Sequence, residues 1–482
     1  MIQSQDPNGM LKKGARVFFV GIGGISMAGL AEISHAYGMT VAGSDRHPGA
    51  RTDRLAALGI EVHAGHRAER IDAFRPDWVV HTAAVHPDNP ERIRATELGI
   101  PVIDRAVYLG WINRLYSRVI NISGTHGKTT TTAMCSSILI RSGRNPTVHL
   151  GADLAEFGGT VRLGTPGDLM VSEACEYMRS FLQFHSTTAA ILNIEYDHVD
   201  CFRDIDDVTD AFTEFARHVP SDGTLVLPAF DARAATLLAR LADEADRDAR
   251  KLPEIVSFGR PEDRLGGNAP TVTFSRLTYP EGCPSFDVVV EGSIYASIRL
   301  RVPGEHNVMN ALAAVACAWK NGGTPEGARE ALESYTGAEG RFDIRGTYRG
   351  AVVISDYAHH PSAVRATLRA AAAFPHAHTW VVFQPLTFSR TRILFDDFVA
   401  ALLPCEFSIL AEIFSDRETD PGDIRSEMIA ARINGLGGNS LFAASFPEIK
   451  EALDGVVSSG DLILVLGPEE IRGFADWLLA AD

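Results

Sequence analysis

Ser123-Gly124-Thr125-His126-Gly127-Lys128-Thr129-Thr130 lies between an apolar run, RVINIS (118–123), and a helical pattern through Cys135 and Leu139. Glycines let the backbone turn tightly enough for successive N–H groups to face phosphate oxygens. The helix that follows presents its positive end to the same anion. In such a loop the lysine, here Lys128, reaches the β- and γ-phosphates, and the Thr129 hydroxyl sits on Mg²⁺. The match to G-x-x-x-x-G-K-[ST] is imperfect, since Ile122 holds the first glycine position and Gly124 comes two residues later. The strand and helix flanks supply the context that a bare Gly-Lys-Thr lacks, and the stretch reads as a nucleoside triphosphate site.

Outward from this loop the chain keeps one rhythm. Before it come RVFFVGIGG (16–24), MTVAG (39–43), WVVHTAAV (78–85) and IPVID (100–104), separated by amphipathic patterns. After it come DLMVSEA (168–174) and AAILNIE (189–195), and then a less regular stretch with FDVVVEG (286–292) and ASIRLRV (296–302). A Gly-bounded helical segment spans 304–323. Beyond it AVVISD (351–356), TWVVFQ (379–384), FSILAEI (407–413) and DLILVLG (461–467) again alternate with helices. Strands that are apolar throughout, with helices between them, predict parallel sheets covered on both faces. The fold class is α/β.

The chain has 482 residues, enough for about three domains at ~150 residues each. With 45% hydrophobic and 22% charged residues it is neither disordered nor collagen-like. Its net charge of −16 argues against a sequence-independent nucleic-acid binder, which needs a basic face to replace phosphate counterions. Small phosphates remain possible ligands, since backbone N–H groups bind them without altering net charge. Six cysteines, none in a C-x-x-C pair, make no disulfide scaffold. The N-terminal segment shows no signal-peptide h-region, and no apolar run reaches the ~20 residues of a membrane span. A cytoplasmic location follows.

Three further sets carry chemistry. Gly21-Ile22-Gly23-Gly24-Ile25-Ser26 follows the first strand, with Asp45 at about the spacing of a dinucleotide fingerprint and Ser26 where its third glycine belongs. Alone it fits any pyrophosphate, or merely a tight turn. Glu173 and Glu176, and Asn193 to His198, follow two other strands, where carboxylates suit Mg²⁺ beside a phosphate loop. Asp356-Tyr357-Ala358-His359-His360-Pro361 and Ser389-Arg390-Thr391 end strands of the third unit, and their side chains suit a carboxylate or phosphate.

Taken in order, the motifs resemble the Mur ligases of peptidoglycan synthesis. They are GIGGISMAGLAE (21–32) and GSD (43–45), TAAVHPDNPE (82–91) and GIPVIDRA (99–106), SGTHGKTTTT (123–132), EACEY (173–177) with SFLQF (180–184), and LNIEYDHVD (192–200). GEHNVMNALAA (304–314), GRFDIRG (340–346), DYAHHP (356–361) and FQPLTFSRT (383–391) complete the series. The opening GIGG favours the branch that adds L-alanine to UDP-N-acetylmuramate over the tripeptide-recycling branch.

The resemblance implies three domains. These are a Rossmann-like domain for the UDP substrate (1–118), a central P-loop ATPase-like α/β domain for ATP (119–338), and a C-terminal Rossmann-like domain for the amino acid (339–482). It implies an ATP-dependent ligase working through an acyl phosphate, with ATP and Mg²⁺ as cofactors. UDP-N-acetylmuramate and L-alanine would be its substrates, without nucleic acid or membrane, in a monomer or homodimer. Lys128, Glu173 and His198 would be catalytic, with Thr129, Glu173 and His198 on the metal. Gly124, Thr125, His126, Gly127, Lys128, Thr129, Thr130, Asn307, Asn310, Arg341 and Asp356 would hold ATP. Gly21, Gly23, Gly24, Ile25, Ser26, Ser44, Asp45, Thr82 and Ala83 would hold the UDP part, and Tyr357, His359 and Arg390 the amino acid.

Two departures fall in the third unit. Leu386 and Thr387 stand where the family carries His and often Arg, and Gly467-Pro468-Glu469-Glu470 replaces a Gly-Ala-Gly type of turn. They leave open a ligase for glycine or serine, or a non-catalytic nucleotide-sugar-binding relative. The glycine turn taken alone would suggest a nicotinamide oxidoreductase.

Overall fold

The computed structural model describes residues 11–82, 84–415 and 418–481, which build three sheets in succession. The first sheet contains β1 (Arg16–Val20), β2 (Thr40–Asp45), β3 (Glu61–Ala64), β4 (Trp78–His81) and β5 (Val102–Asp104). All run parallel, in the order β3-β2-β1-β4-β5. Val17, Phe18, Phe19 and Val20 are all fully buried, as a strand covered by helices on both faces requires. Because β1 lies between β2 and β4, the connections reverse direction beside it. The Gly21–Gly24 turn therefore opens at the crevice where such sheets take ligands.

The second sheet has ten strands: β6 (Arg118–Ser123), β7 (Thr147–Leu154), β8 (Gly159–Arg162), β9 (Leu169–Glu173), β10 (Thr188–Ile191), β11 (Thr224–Pro228), β12 (Glu254–Phe258), β13 (Val272–Thr278), β14 (Ser285–Val290) and β15 (Ser293–Arg299). Their order is β15-β14-β13-β12-β11-β10-β6-β9-β7-β8, with antiparallel pairs only at the two ends. Central β6 has β9 and β10 as parallel neighbours. Its carboxyl end is thus flanked by Glu173 at the end of β9 and by the segment carrying His198 after β10, so residues far apart in sequence meet at one edge.

The third sheet comprises β16 (Asp343–Tyr348), β17 (Ala351–Asp356), β18 (Thr379–Phe383), β19 (Phe407–Leu410), β20 (Ser440–Phe442) and β21 (Leu462–Leu466), ordered β16-β17-β21-β18-β19-β20. Only β16, at the edge, is antiparallel. The Gly467 turn is held by its partners. A Cβ on Gly467 would lie 2.6 Å from the Gln384 carbonyl oxygen, and the Gln384 side chain donates to Glu470 (2.9 Å) and accepts from the Ile471 N–H (3.1 Å).

The two interfaces between units differ in kind. The first and second units share one hydrophobic core running from Leu11 through Trp111 and Phe181 to Leu265. The seam is tight, since a Cβ on Gly110 would lie 2.0 Å from the Gln183 carbonyl oxygen. The third unit has hydrophobic clusters of its own and meets the second through polar groups. Chief among these is the ion pair of Arg390 with Asp197, at 2.6 Å, with both side chains about 5% exposed. Burial alone would raise the Asp197 pKa, but the Arg390 guanidinium holds it well below the usual carboxylate range.

Removing one partner of a buried ion pair strands the other charge, at a cost of about 3–5 kcal/mol. Asp197→Asn is therefore expected to lower stability by that order at pH 7 in denaturant unfolding. The Asp197 pKa is lower in the folded chain than in the unfolded one, so its contribution is complete above the ordinary carboxylate range and is lost as the pH falls towards the folded value. The gap between wild type and variant should therefore narrow in strong acid. A gap that is small at pH 7, or unchanged in acid, would contradict the role given to the pair.

Candidate active site

The phosphate loop leaves β6 and enters the helix Lys128–Arg141. Gly124 and Gly127 both take positive φ, +139° and +85°. A side chain at Gly127 would meet Asn310 Oδ1 at 2.4 Å. Glycine is needed here for conformation and for space. The loop is braced from the β10 side: the His126 N–H donates to Asn193 Oδ1 (2.8 Å), Asn193 Nδ2 donates to the His126 carbonyl (3.0 Å), and the Glu195 N–H donates to Thr125 Oγ1 (2.9 Å). Thr129 and Thr130 are buried in the first helical turn.

Lys128 Nζ donates to the Gly124 carbonyl at 2.6 Å and pairs with Glu176 at 2.9 Å. Burial would lower the pKa of this ammonium, yet Glu176, with Cys175 and Glu173 behind it, raises it above its ordinary value. The lysine therefore stays charged. Glu173 accepts from the Gly151 N–H (2.6 Å) and from the Thr129 hydroxyl (3.1 Å), and burial pushes its pKa up. His198 lies 3.6 Å from Glu176, with its ring beside Tyr177. Its Nδ1 is buried with no hydrogen-bond partner, and burial lowers its pKa, so the imidazole is neutral. Lys128, Thr129, Glu173 and His198 thus share one edge. Among them are a carboxylate lifted by burial and an orphaned imidazole nitrogen, a donor set that a cation would satisfy.

Asn307 and Asn310 are buried on the helix Glu305–Lys320 and bonded to each other, with Asn310 beneath the loop. Arg341 and Asp356 lie where the third unit begins. Asp356 is buried and accepts from the Phe342 N–H (2.8 Å), and Arg341 stacks on Tyr357 (5.1 Å to the ring centre). Tyr357 packs edge-on against His359, and His359 Nδ1 is bonded to the Tyr357 carbonyl (2.8 Å). Arg390 is occupied by Asp197, and its Nη1 also reaches the carbonyl of Leu386, which is buried.

In the first unit Gly21 takes φ +81°, and the Gly23 N–H donates to Asp45 (2.8 Å). Gly24 caps the helix Ile25–Ala36, and the Ile25 carbonyl accepts from Thr160 of the second unit. The Ser26 hydroxyl bonds His149 (3.0 Å) and Arg105 (3.0 Å). The Ser44 hydroxyl is buried and bonded to His66 and Glu91, while its carbonyl accepts from the Gly21 and Ile22 N–H groups of the turn. Thr82 closes β4, its carbonyl accepting from the Val85 N–H. Ala83 lies outside the described residues. A cleft of about 440 Å³ opens between the first and second units, lined by Gly23, His47, Arg51, Thr52, Asp153 and Thr160. Strand β7 joins the regions: His149 touches Ser26, and Gly151, two residues on, touches Glu173.

Several residues of the site take their partners from the fold and not from their motifs. Glu176 was visible as an acid after a strand, but its position between Lys128 and His198 is a product of folding. Asp197 adjoins His198 in sequence, while its partner Arg390 is 193 residues away. Arg105 lies within GIPVIDRA with no role of its own assigned, and His149 belongs to none of the motifs.

Sequence profiles described as the Mur ligase family catalytic domain, the Mur ligase middle domain and the Mur ligase glutamate ligase domain match residues 16–117, 122–318 and 340–468. A UDP-N-acetylmuramate–L-alanine ligase of Acetivibrio thermocellus is 41% identical over 475 residues, covering 98% of this chain and 97% of that protein. One from Lachnospira eligens is 41% identical over 464 residues, covering 96% and 97%. The solved UDP-N-acetylmuramate–alanine ligase of Thermotoga maritima superimposes with a TM-score of 0.76 at 28% identity, covering 97% and 98%. With matches to all three domains in order and relatives of this similarity along nearly the whole length, the chain belongs to the Mur ligase family.

Proposed function

We propose that the chain is an ATP-dependent carbon–nitrogen ligase that joins L-alanine to the carboxylate of UDP-N-acetylmuramate, releasing ADP and phosphate, in peptidoglycan precursor synthesis. One observation carries this reading: Lys128, Thr129, Glu173 and His198 meet at the end of β6, with the glycine-turn cleft on one side and the Tyr357–His359–Arg390 group on the other. A phosphate site, a nucleotide-sugar cleft and an amino-acid group adjoin, as a three-substrate ligation requires. The names of the full-length relatives agree with it.

A carboxylate is a poor acyl donor. Transfer of a phosphoryl group to the muramyl carboxylate gives an acyl phosphate that the alanine amine can attack, the resulting tetrahedral intermediate collapsing to amide and phosphate. Phosphoryl transfer needs mainly positioning and charge neutralisation. Lys128 brings a cation kept charged by Glu176, and the loop from Gly124 to Gly127 shapes the backbone around the phosphates. Thr129 and Glu173 would hold one Mg²⁺ and His198 a second. Bound Mg²⁺ neutralises phosphate charge in such sites. Tyr357, His359 and Arg390 would place the amino acid, and the seated third unit would keep water from the acyl phosphate. Among the described residues no helix is long and apolar enough to cross a membrane. Cytoplasmic pools of ATP and UDP-sugars make that compartment the place of action.

Phosphate release from ATP is expected only when UDP-N-acetylmuramate and L-alanine are both present, with glycine and serine slower than alanine. Release that neither compound stimulates would overturn the reading. In the same assay Lys128→Ala, folded as judged by circular dichroism, should lose more than tenfold in rate, about 1.4 kcal/mol of barrier. Retention of a tenth or more would deny Lys128 its role. Glu176→Gln removes the anion that raises the Lys128 pKa, so the alkaline limb of the pH–rate profile should move to lower pH. A limb left in place would detach Glu176 from the lysine.

A further inference from the structure

On the side of the phosphate loop facing the third unit, three side chains from distant segments converge. His126 comes from the loop, Glu195 from the segment after β10, and His360 from the start of the helix Pro361–Ala371. One ligand atom from each lies within 4.8 Å of the others. His126 Nε2 is 3.5 Å and His360 Nδ1 3.7 Å from the same oxygen, Glu195 Oε2. Two ligands bound at about 2.1 Å to a tetrahedral zinc-class ion are ~3.4 Å apart, so little movement would bring all three onto one ion.

The second nitrogen of His360 is already placed as such sites require. His360 Nε2 faces the Tyr196 carbonyl at 3.3 Å. A proton held there fixes the tautomer and leaves Nδ1 the acceptor, taking the Ser362 N–H at 3.4 Å as a long cap bond that an ion at the cluster would replace. A backbone carbonyl on the far nitrogen is the outer-shell arrangement that orients metal-ligating imidazoles. The Ser362 hydroxyl is within hydrogen-bond distance of both nitrogens, 2.9 Å from His126 Nε2 and 2.8 Å from His360 Nδ1, an oxygen that would move outward to the ~3.4 Å ligand spacing to serve as a fourth ligand. The His360 side chain is 8% exposed, against 38% for Glu195, so the cluster has a dry floor and an open edge for an ion to enter. Burial, with His126 nearby, lowers the His360 pKa to about 4. Although burial opposes it, the hydrogen bonds of His126 and Ser362 lower that of Glu195 to about 2. Neutral imidazole and carboxylate are the forms that bind metal.

We propose that His126, Glu195 and His360 form a binding site for a divalent transition-metal ion of the zinc class, distinct from the Thr129–Glu173–His198 set, with the Ser362 hydroxyl or a water completing the shell. Two imidazoles and one carboxylate favour zinc, cobalt or nickel over magnesium, which takes oxygen ligands. Because the ligands come from both sides of the polar interface, the bound ion ties the phosphate loop to the third unit and opposes their separation.

The test titrates the full-length, metal-stripped protein with Co²⁺, a spectroscopic stand-in for Zn²⁺, in excess Mg²⁺ and without nucleotide. One equivalent should produce visible absorption of a low-coordinate nitrogen–oxygen site, reversed by one equivalent of Zn²⁺, and Zn²⁺ should raise the thermal unfolding midpoint. Glu195→Gln and His360→Gln should each weaken binding by more than about tenfold, a loss that even an outer-shell partner can cause. His198→Asn should leave it intact. The wild-type protein showing no saturable signal would overturn the proposal, whether or not the variants fold. So would a signal lost in His198→Asn and kept in His360→Gln.

Discussion

Asp197 and Arg390 are each about 5% exposed, and neither charge could stay buried without the other. That requirement organises the junction between the second and third units. Asp197 sits between Tyr196, whose carbonyl faces His360, and His198, beside Glu176 and so one contact from Lys128. Seating Arg390 on Asp197 therefore brings the Tyr357–His359 group, His360 and Ser362 against the phosphate loop. The pair positions the third unit more than it stabilises the fold, since paired buried charges recover little beyond their own desolvation.

The first two units are joined differently. A continuous apolar core runs through both, and apolar surface removed from water favours contact regardless of direction. The third unit keeps its apolar clusters to itself and makes a polar interface, the kind across which domains of one chain move. Gly337 and Gly340, both at positive φ, lie just before β16 where such motion would be absorbed. The sequence of events in the proposed reaction, admission of three substrates followed by exclusion of water, suits a rigid pair with one mobile partner.

Much of this was legible in the residues. Apolar strands alternating with helices announced parallel sheets, and the Gly-Lys-Thr loop between RVINIS and its helix announced where phosphate would be held. These readings rest on local rules, two-face burial and backbone conformation, that act within a few residues. The pattern could not show that β9 and β10 flank β6, and hence which of many acids after strands would stand near Lys128. Glu173 and Glu176 are three residues apart, yet one bonds Thr129 and the other Lys128. The resemblance groups Ser44 with the residues for the UDP part, and only the fold shows its hydroxyl bonded to Glu91 and His66.

The sequence by itself determined the α/β class, the ordered set of family motifs and the phosphate loop, because propensity, periodicity and glycine geometry are properties of short segments. Only the tertiary structure decided which charges meet. The Asp197–Arg390 pair, the His126–Glu195–His360 cluster and the Ser26–His149 contact each join residues of different units that are distant in the chain, across interfaces that no local pattern encodes. Coulombic and hydrogen-bond partners are selected by distance in space, and at these separations the chain sets no such distance until its sheets have formed.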